Sequence, residues 1–141
     1  MPSMAKPKAA EKVNPEEKVR RHCLEQMVGP LGYPQHLLSV ERTLRRLPHL
    51  REVPRLPNRR IDLLCWTGGG SSIHPLILVE CKTGPLQWRG LRQAIHYNTY
   101  VGAPFISLVS DQGVWLVQVP DATVHALDCL PSYNQLLNWL S

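Results

Sequence analysis

The chain has 141 residues, 43% of them hydrophobic, which suits one domain with an apolar core. No apolar run approaches the roughly 20 residues of a membrane span, and no signal-peptide stretch opens the chain, so we expect a soluble, cytoplasmic protein without membrane contact. The net charge of +5, mostly from arginine, indicates either a nucleic-acid-binding surface or an uncommitted basic one.

Residues 1–13 show no apolar periodicity and are predicted to form a disordered basic arm, whereas residues 14–141 are predicted to form a single domain. The four cysteines include no C-x-x-C pair, and three fall on apolar stretches, where free cysteine behaves as a small buried hydrophobe. A zinc site is conceivable from two cysteines and two histidines, but their spacings match no zinc pattern: Cys65, His74, Cys81 and His96.

The first half of the chain reads as one helix followed by three extended segments. Asn14 is the expected N-cap, with Pro15 at the first helical position and Glu17 at the capping-box spacing, and Gly29-Pro30 ends the helix. A first strand is expected at 37–44, and the prolines within 49–58 indicate a connection or an edge segment. Two further strands are predicted on either side of a Gly/Ser-rich turn at 67–72: 60–66 and 75–82.

The second half reads as a helix, a hairpin and a short helix. The helix is predicted over 86–101, with four residues facing inward: Leu91, Ala94, Ile95 and Val101. Strands at 105–110 and 114–119 flank a hairpin turn, and a short helix is expected at 133–140. This order predicts an α/β sandwich in which helices flank a small central mixed sheet.

The strand ending at Lys82 carries an unusual pair of charges. Side chains alternate along a strand, so Leu76, Leu78, Glu80 and Lys82 share one face. The α-carbons of Glu80 and Lys82 are therefore roughly 6.6 Å apart, close enough for a carboxylate to hold a cation while the ammonium reaches a water on that ion. The alternative is a plain Glu–Lys pair at the mouth of a strand.

Asp62 lies in the preceding apolar strand and can approach Glu80 if the two strands pair. Two neighbouring carboxylates repel each other, and a divalent cation such as Mg²⁺ relieves that repulsion with oxygen ligands of the kind it prefers. The alternative is a carboxylate paired with Arg59 or Arg60. On the following helix, Arg89, Gln93 and Tyr97 form one stripe that either overlooks these strand ends or is a solvated face.

At these positions the sequence resembles a known family. Asp62, Glu80-Cys81-Lys82 and Gln93 with Tyr97 are similar to the D…E-x-K…Q-x-x-x-Y series of PD-(D/E)xK nucleases. Over about residues 16–119 the amino-acid sequence resembles the N-terminal nuclease domain of type I restriction enzyme R subunits. The resemblance implies a restriction-endonuclease-like three-layer sandwich and a nuclease that hydrolyses phosphodiester bonds of DNA, with RNA as a further candidate substrate.

The resemblance also implies roles for individual residues. Asp62 and Glu80 would bind Mg²⁺, or Mn²⁺ in its place, helped by the backbone carbonyl of Cys81, and Lys82 would orient the attacking water. Gln93 and Tyr97 would be accessory. Contacts to nucleic acid are expected from Arg60, Arg89, Arg92 and Gln93, and an additional acid from Glu41 or Glu25.

The sequence lacks a G-x-x-x-x-G-K-[ST] phosphate loop, so it carries no ATP-driven motor of the kind found in R subunits. Specificity would then come from partner proteins or be absent, and a homodimer is compatible with the sequence. Two other hypotheses stay open: a non-catalytic nucleic-acid-binding module with the same fold, and a structural protein whose charged residues form a buried ion network.

Overall fold

A computed structural model describes residues 14–69, 71–121 and 123–141, and the arm expected over residues 1–13 lies outside these ranges. Three short 3-10 segments occur at Gln35–Leu37, Leu44–Arg46 and Pro48–Leu50. The helices and strands are, in chain order, α1 (Pro15–Val28), β1 (Leu38–Thr43), β2 (Arg60–Gly69), β3 (Ser72–Cys81), α2 (Trp88–Val101), β4 (Phe105–Ser110), β5 (Gly113–Gln118), β6 (Val124–Leu127) and α3 (Tyr133–Leu140). None of the helices in the described ranges is long and apolar enough to cross a membrane.

The helix ends follow local chemistry. The Asn14 side chain accepts a hydrogen bond from the amide of Glu17 at 2.8 Å, which confirms the predicted start of α1. Gly102 ends α2 with a φ of 80°, a left-handed conformation that favours glycine. The predicted terminal helix is also confirmed, since α3 spans Tyr133–Leu140.

The six strands form one mixed sheet in the order β1–β2–β3–β4–β5–β6. Neighbouring strands are antiparallel except β3 and β4, which are parallel and are connected through α2. β2 and β3 are longer than predicted, because their pairing continues to Gly69 and Ser72 and takes up most of the expected turn. β6 was not predicted, since four residues show too little alternation to indicate a strand.

Helices cover both faces of the sheet, which makes the predicted three-layer sandwich. On one face, α1 and α3 pack against β-strand residues through Cys23, Met27 and Leu136. On the other face, α2 and the 3-10 segments pack against the sheet through residues that include Tyr97 and Leu44. Leu76 and Leu78 were predicted to share one face of the sheet, but Leu76 packs on the α1 side and Leu78 on the α2 side. The reason is a shift of the β2–β3 register between Cys65 and Trp66, which breaks the alternation of side chains.

The inward face of α2 differs from the prediction at one position. Leu91, Ala94 and Val101 are buried as expected, but Ile95 is 41% exposed. The buried positions continue through Tyr97 and Asn98 instead, in steps of three and four residues, and Ile95 lies on the flank of that stripe. Asn98 is satisfied inside because its side-chain amide donates to the carbonyl of Ala103 at 2.8 Å and accepts from the Ala103 amide at 2.9 Å.

Candidate active site

β2 and β3 separate at the point where the two candidate acids lie. Their last paired residues at this end are Leu63 and Val79. Beyond that pair, the backbone amide of Asp62 donates to Oε2 of Glu80 at 2.9 Å, and Oδ2 of Asp62 accepts from the amide of Cys81 at 2.8 Å. Side-chain carboxylates thus take the place of backbone carbonyls between the strands, and they bring the two acids together as the predicted strand pairing requires.

The surroundings of this pair disfavour two negative charges. Burial, and next the negative charge of Asp62, raise the pKa of Glu80 to about 8, although the Asp62 amide and the charge of Lys82 oppose the shift. Burial also raises the pKa of Asp62, against the amide of Cys81 and the charges of Arg20 and Lys82. The site therefore lacks enough positive charge to neutralise both carboxylates.

The donor atoms suit a hard divalent cation. Oε1 of Glu80 accepts no hydrogen bond from the residues that the structure describes, and Oδ1 of Asp62 has among them only a long ion pair with Arg20 at 3.9 Å, so each acid keeps an oxygen that a cation can approach. Within the same residues no three His, Cys, Asp or Glu side chains gather as a metal-binding group. Two carboxylates with a backbone carbonyl still fit Mg²⁺, which retains several waters and takes one or two protein carboxylates.

An arginine from α1 connects Asp62 to a second acid. Arg20 lies 3.9 Å from Oδ1 of Asp62 and 2.8 Å from Oε2 of Glu41. Glu41 also lies 3.7 Å from Arg60. Among the described residues the ion-pair partner of Asp62 is therefore Arg20, not Arg59 or Arg60 as the alternative interpretation had it. Glu41 shares that arginine, and it lies between Val40 and Arg42, which pair with Leu63 and Ile61 on either side of Asp62.

Glu16, in the first turn of α1, is an acid that the sequence interpretation missed. Its negative charge raises the pKa of both Asp62 and Glu80. Glu25, one of the two acids proposed from the sequence, is exposed nine residues further along α1, about 13 Å along the helix axis. The sequence signal that could have identified Glu16 is its spacing. It lies one helical turn before Arg20, and Arg20 reaches Asp62.

Lys82 directly follows β3 and lines a cleft whose described wall includes neither Asp62 nor Glu80. Its amide donates to the carbonyl of Val109 at 2.8 Å, which continues the β3–β4 pairing. The cleft measures about 240 Å³, and Arg89, Gln93 and Gly90 of α2 line it together with Lys82. A β-carbon on Gly90 would lie 3.2 Å from Leu108, a tight contact, and 3.6 Å from Cε of Lys82, an ordinary one, so glycine leaves room chiefly for the leucine behind the cleft.

Two α2 residues that the sequence interpretation placed at the site, Tyr97 and Arg92, do not line the cleft. Tyr97 shares the stripe of Arg89 and Gln93, but its ring is buried in the core, and the guanidinium of Arg59 lies 5.7 Å from the ring centroid. Arg92 lines a separate apolar groove of about 370 Å³ on the other flank of α2, beside Trp88. The cleft thus gathers Lys82, Arg89 and Gln93, but neither Arg92 nor the Tyr97 ring.

The six-stranded mixed sheet between helical layers, with a D…E-x-K series where β2 and β3 separate, defines a restriction-endonuclease-like protein of the PD-(D/E)xK type. The family model for the type I restriction enzyme R protein N terminus (HSDR_N) matches residues 15–131, and the chain belongs to that family.

A solved structure has the same fold. It is a fragment of a protein assigned as the HsdR subunit of a type I restriction enzyme from Vibrio vulnificus YJ016, with a TM-score of 0.62 and 17% sequence identity. The match covers 91% of this chain and 25% of that chain, so the present sequence spans about a quarter of its length. Comparison with curated proteins gives no match.

Proposed function

We propose that this protein is a metal-dependent nuclease that hydrolyses phosphodiester bonds of DNA. The observation that carries the proposal is the exchange of hydrogen bonds between Asp62, Glu80 and the Cys81 amide, which holds two partly desolvated carboxylates side by side. Membership of the R-subunit N-terminal family supports a nuclease-related role.

Each residue of the site has a proposed role that follows from its position. Asp62 and Glu80, with the backbone carbonyl of Cys81, would hold Mg²⁺, for which Mn²⁺ could substitute. When bound, the metal acidifies water and offsets charge on the phosphate. Lys82 donates hydrogen bonds that orient the attacking water, and Arg89 and Gln93, on the wall of the same cleft, bind phosphate oxygens.

The proposed chemistry also indicates the substrate and the partner proteins. DNA is the proposed substrate, and RNA is its competitor in any assay. We place the protein in the cytoplasm, since its four cysteines, Cys23, Cys65, Cys81 and Cys129, are free thiols. Other subunits of a restriction system, or a second copy of this chain, would supply the specificity that the small cleft lacks.

The test is a cleavage assay on supercoiled plasmid, single-stranded DNA and RNA, with Mg²⁺, with Mn²⁺ and with EDTA. We expect DNA cutting in either metal, none in EDTA, and none by Asp62→Asn. Asp128→Asn, which removes an exposed acid outside the site, is the matched control and keeps full cutting. Cutting that survives in Asp62→Asn contradicts the proposal.

One observation favours a second candidate, a nucleic-acid-binding module without catalysis. Among the described residues the site offers two clustered acids and no third metal-ligating side chain. In that case wild-type protein binds DNA in a salt-sensitive manner, because phosphate contacts release counterions, yet cuts nothing in Mg²⁺ or Mn²⁺. The cleavage assay, run beside a binding assay, separates the two functions.

A further inference from the structure

An arginine-rich segment connects the end of β1 to the start of β2. Residues 42–60 contain seven arginines and a single acid, Glu52. Five of these arginines are exposed and form no ion pair within the described part of the chain, and we call them the arginine surface: Arg42, Arg46, Arg51, Arg55 and Arg59. Because one acid cannot balance seven arginines, the segment has a net positive charge, and this surface favours an anionic partner.

Arg45 gives the segment a defined shape. Its guanidinium Nη1 donates to the carbonyls of Arg51 at 3.0 Å and Val53 at 2.6 Å, and lies 3.4 Å from that of Leu50. Leu44, Leu47 and Leu50 are buried in the core beneath it. Hydrogen bonds and core packing therefore hold the segment that carries the arginine surface in a defined conformation.

The arginine surface begins next to the candidate active site. Arg42 pairs with Ile61, the residue before Asp62, across the β1–β2 ladder. At its other end Arg59 lies against the Tyr97 ring. From Tyr97 the same α2 stripe runs through Gln93 to Arg89 in the Lys82 cleft, about 12 Å along the helix.

We propose that the arginine surface binds the phosphate backbone of duplex DNA and delivers it to the Lys82 cleft, an inference that rests on the proposed function for its substrate. Arginine suits phosphate because its planar fork makes two hydrogen bonds. Binders of single strands stack bases on exposed aromatic rings. Residues 42–60 contain no Phe, Tyr or Trp, and the neighbouring Tyr97 is buried under Arg59, so the contacts read phosphates, not bases.

The test measures binding without hydrolysis. Full-length protein in EDTA is titrated against a fluorescent duplex of random sequence over 50–200 mM salt. In Arg46→Gln/Arg51→Gln/Arg55→Gln we expect the slope of log affinity against log salt to fall by about 2 to 3, with affinity lower by about tenfold or more. Wild type is expected to prefer the duplex to a single strand of equal length.

A control variant changes the net charge by the same three units, with added acids at exposed positions in the β4–β5 turn and on α3: Gln112→Glu/Asn134→Glu/Asn138→Glu. It is expected to keep the wild-type slope, and thermal unfolding checks that both triple variants fold. An unchanged slope in the arginine variant, an equal loss in the control, or tighter binding of single-stranded DNA would each overturn the proposal. The assay contains EDTA and therefore measures binding alone. A protein that binds DNA but never cleaves it would still give the expected slopes.

Discussion

The backbone amide of Asp62 donates a 2.9 Å hydrogen bond to Oε2 of Glu80, so the position of one candidate metal ligand is fixed by the main chain of the other. The Cys81 amide fixes Asp62 in the same way. Neither acid depends on a loop for its position, since both lie in or directly beside sheet strands. Backbone groups thus hold both carboxylates in place, although burial raises the pKa of each.

The raised pKa of Glu80 predicts how the metal-free protein responds to pH. A carboxyl group whose folded pKa is about 8 stabilises the fold while protonated, and this contribution is lost as pH rises from its ordinary value of 4.5 through 8. Glu80→Gln keeps an acceptor for the Asp62 amide but cannot ionise. We expect the variant to be more stable than wild type at pH 9 in EDTA, on the order of 3 kcal/mol.

Thermal unfolding at pH 5 and pH 9 measures this difference. The two proteins should melt at nearly the same temperature at pH 5 and differ by about 5–10 °C at pH 9. A Glu80→Gln protein that is less stable than wild type at pH 9 would mean that the Glu80 carboxylate is already neutralised by groups in the chain.

Mg²⁺ should reverse that loss of stability, because a cation favours the ionised carboxylates. At a concentration 100 times its Kd, a ligand that binds only the folded state stabilises it by about 2.7 kcal/mol. We expect the rise in melting temperature with Mg²⁺ to be larger at pH 8 than at pH 6, where protons compete for Glu80. Asp62→Asn should lose the rise, and a rise of equal size in that variant counts against a metal at this site.

Lys82→Ala should lose cleavage without losing the metal. Lys82 lines the cleft, and its charge lowers the pKa of both acids, but no ion pair within the described residues ties it to either. Orientation and deprotonation of a nucleophile contribute about 10²- to 10⁴-fold, so we expect a loss of that size in plasmid cleavage. The Mg²⁺-induced rise in melting temperature should persist, and Lys18→Ala, an exposed lysine of α1, should cut normally.

α1 offers a matched pair of acids for testing the third carboxylate. Both are exposed, but the charge of Glu16 makes a minor contribution to the raised pKa values of Asp62 and Glu80, whereas Glu25 lies more than two turns further along the same helix. Glu16→Gln should weaken Mg²⁺ binding, measured by isothermal titration calorimetry, by about twofold to fivefold, the effect of 1 kcal/mol or less, because water screens the charge of an exposed residue. Glu25→Gln should leave it unchanged, and equal affinities for the two variants would remove Glu16 from the site.

Local chemistry made much of this fold predictable. Asn14 and Pro15 indicated the start of α1, and the apolar run before Glu80 indicated a central strand, because such patterns depend only on neighbours in sequence. The approach of Asp62 to Glu80 followed from one further step, the pairing of two successive strands.

Contacts between distant residues were beyond the sequence patterns. The choice of Arg20 over Arg59 or Arg60 as partner of Asp62 depends on how α1 lies across the sheet. Likewise, a period of 3.6 places Ile95 and Tyr97 on opposite flanks of one inward stripe, and only the packing partners decide which flank is covered. Tertiary packing, not local preference, therefore determined these positions.

Tyr97 provides a test of whether the α2 stripe acts through chemistry or through packing. Its ring is buried and covered by Arg59, and its hydroxyl forms no hydrogen bond among the described residues. Tyr97→Phe keeps the ring, so cleavage and the free energy of unfolding should stay close to wild type. Tyr97→Ala leaves a cavity beneath Arg59 and should lower the free energy of unfolding in urea by about 3–5 kcal/mol. If Tyr97→Phe instead loses cleavage while its unfolding is unchanged, the hydroxyl takes part in the reaction, and the ring's burial is incidental to its role.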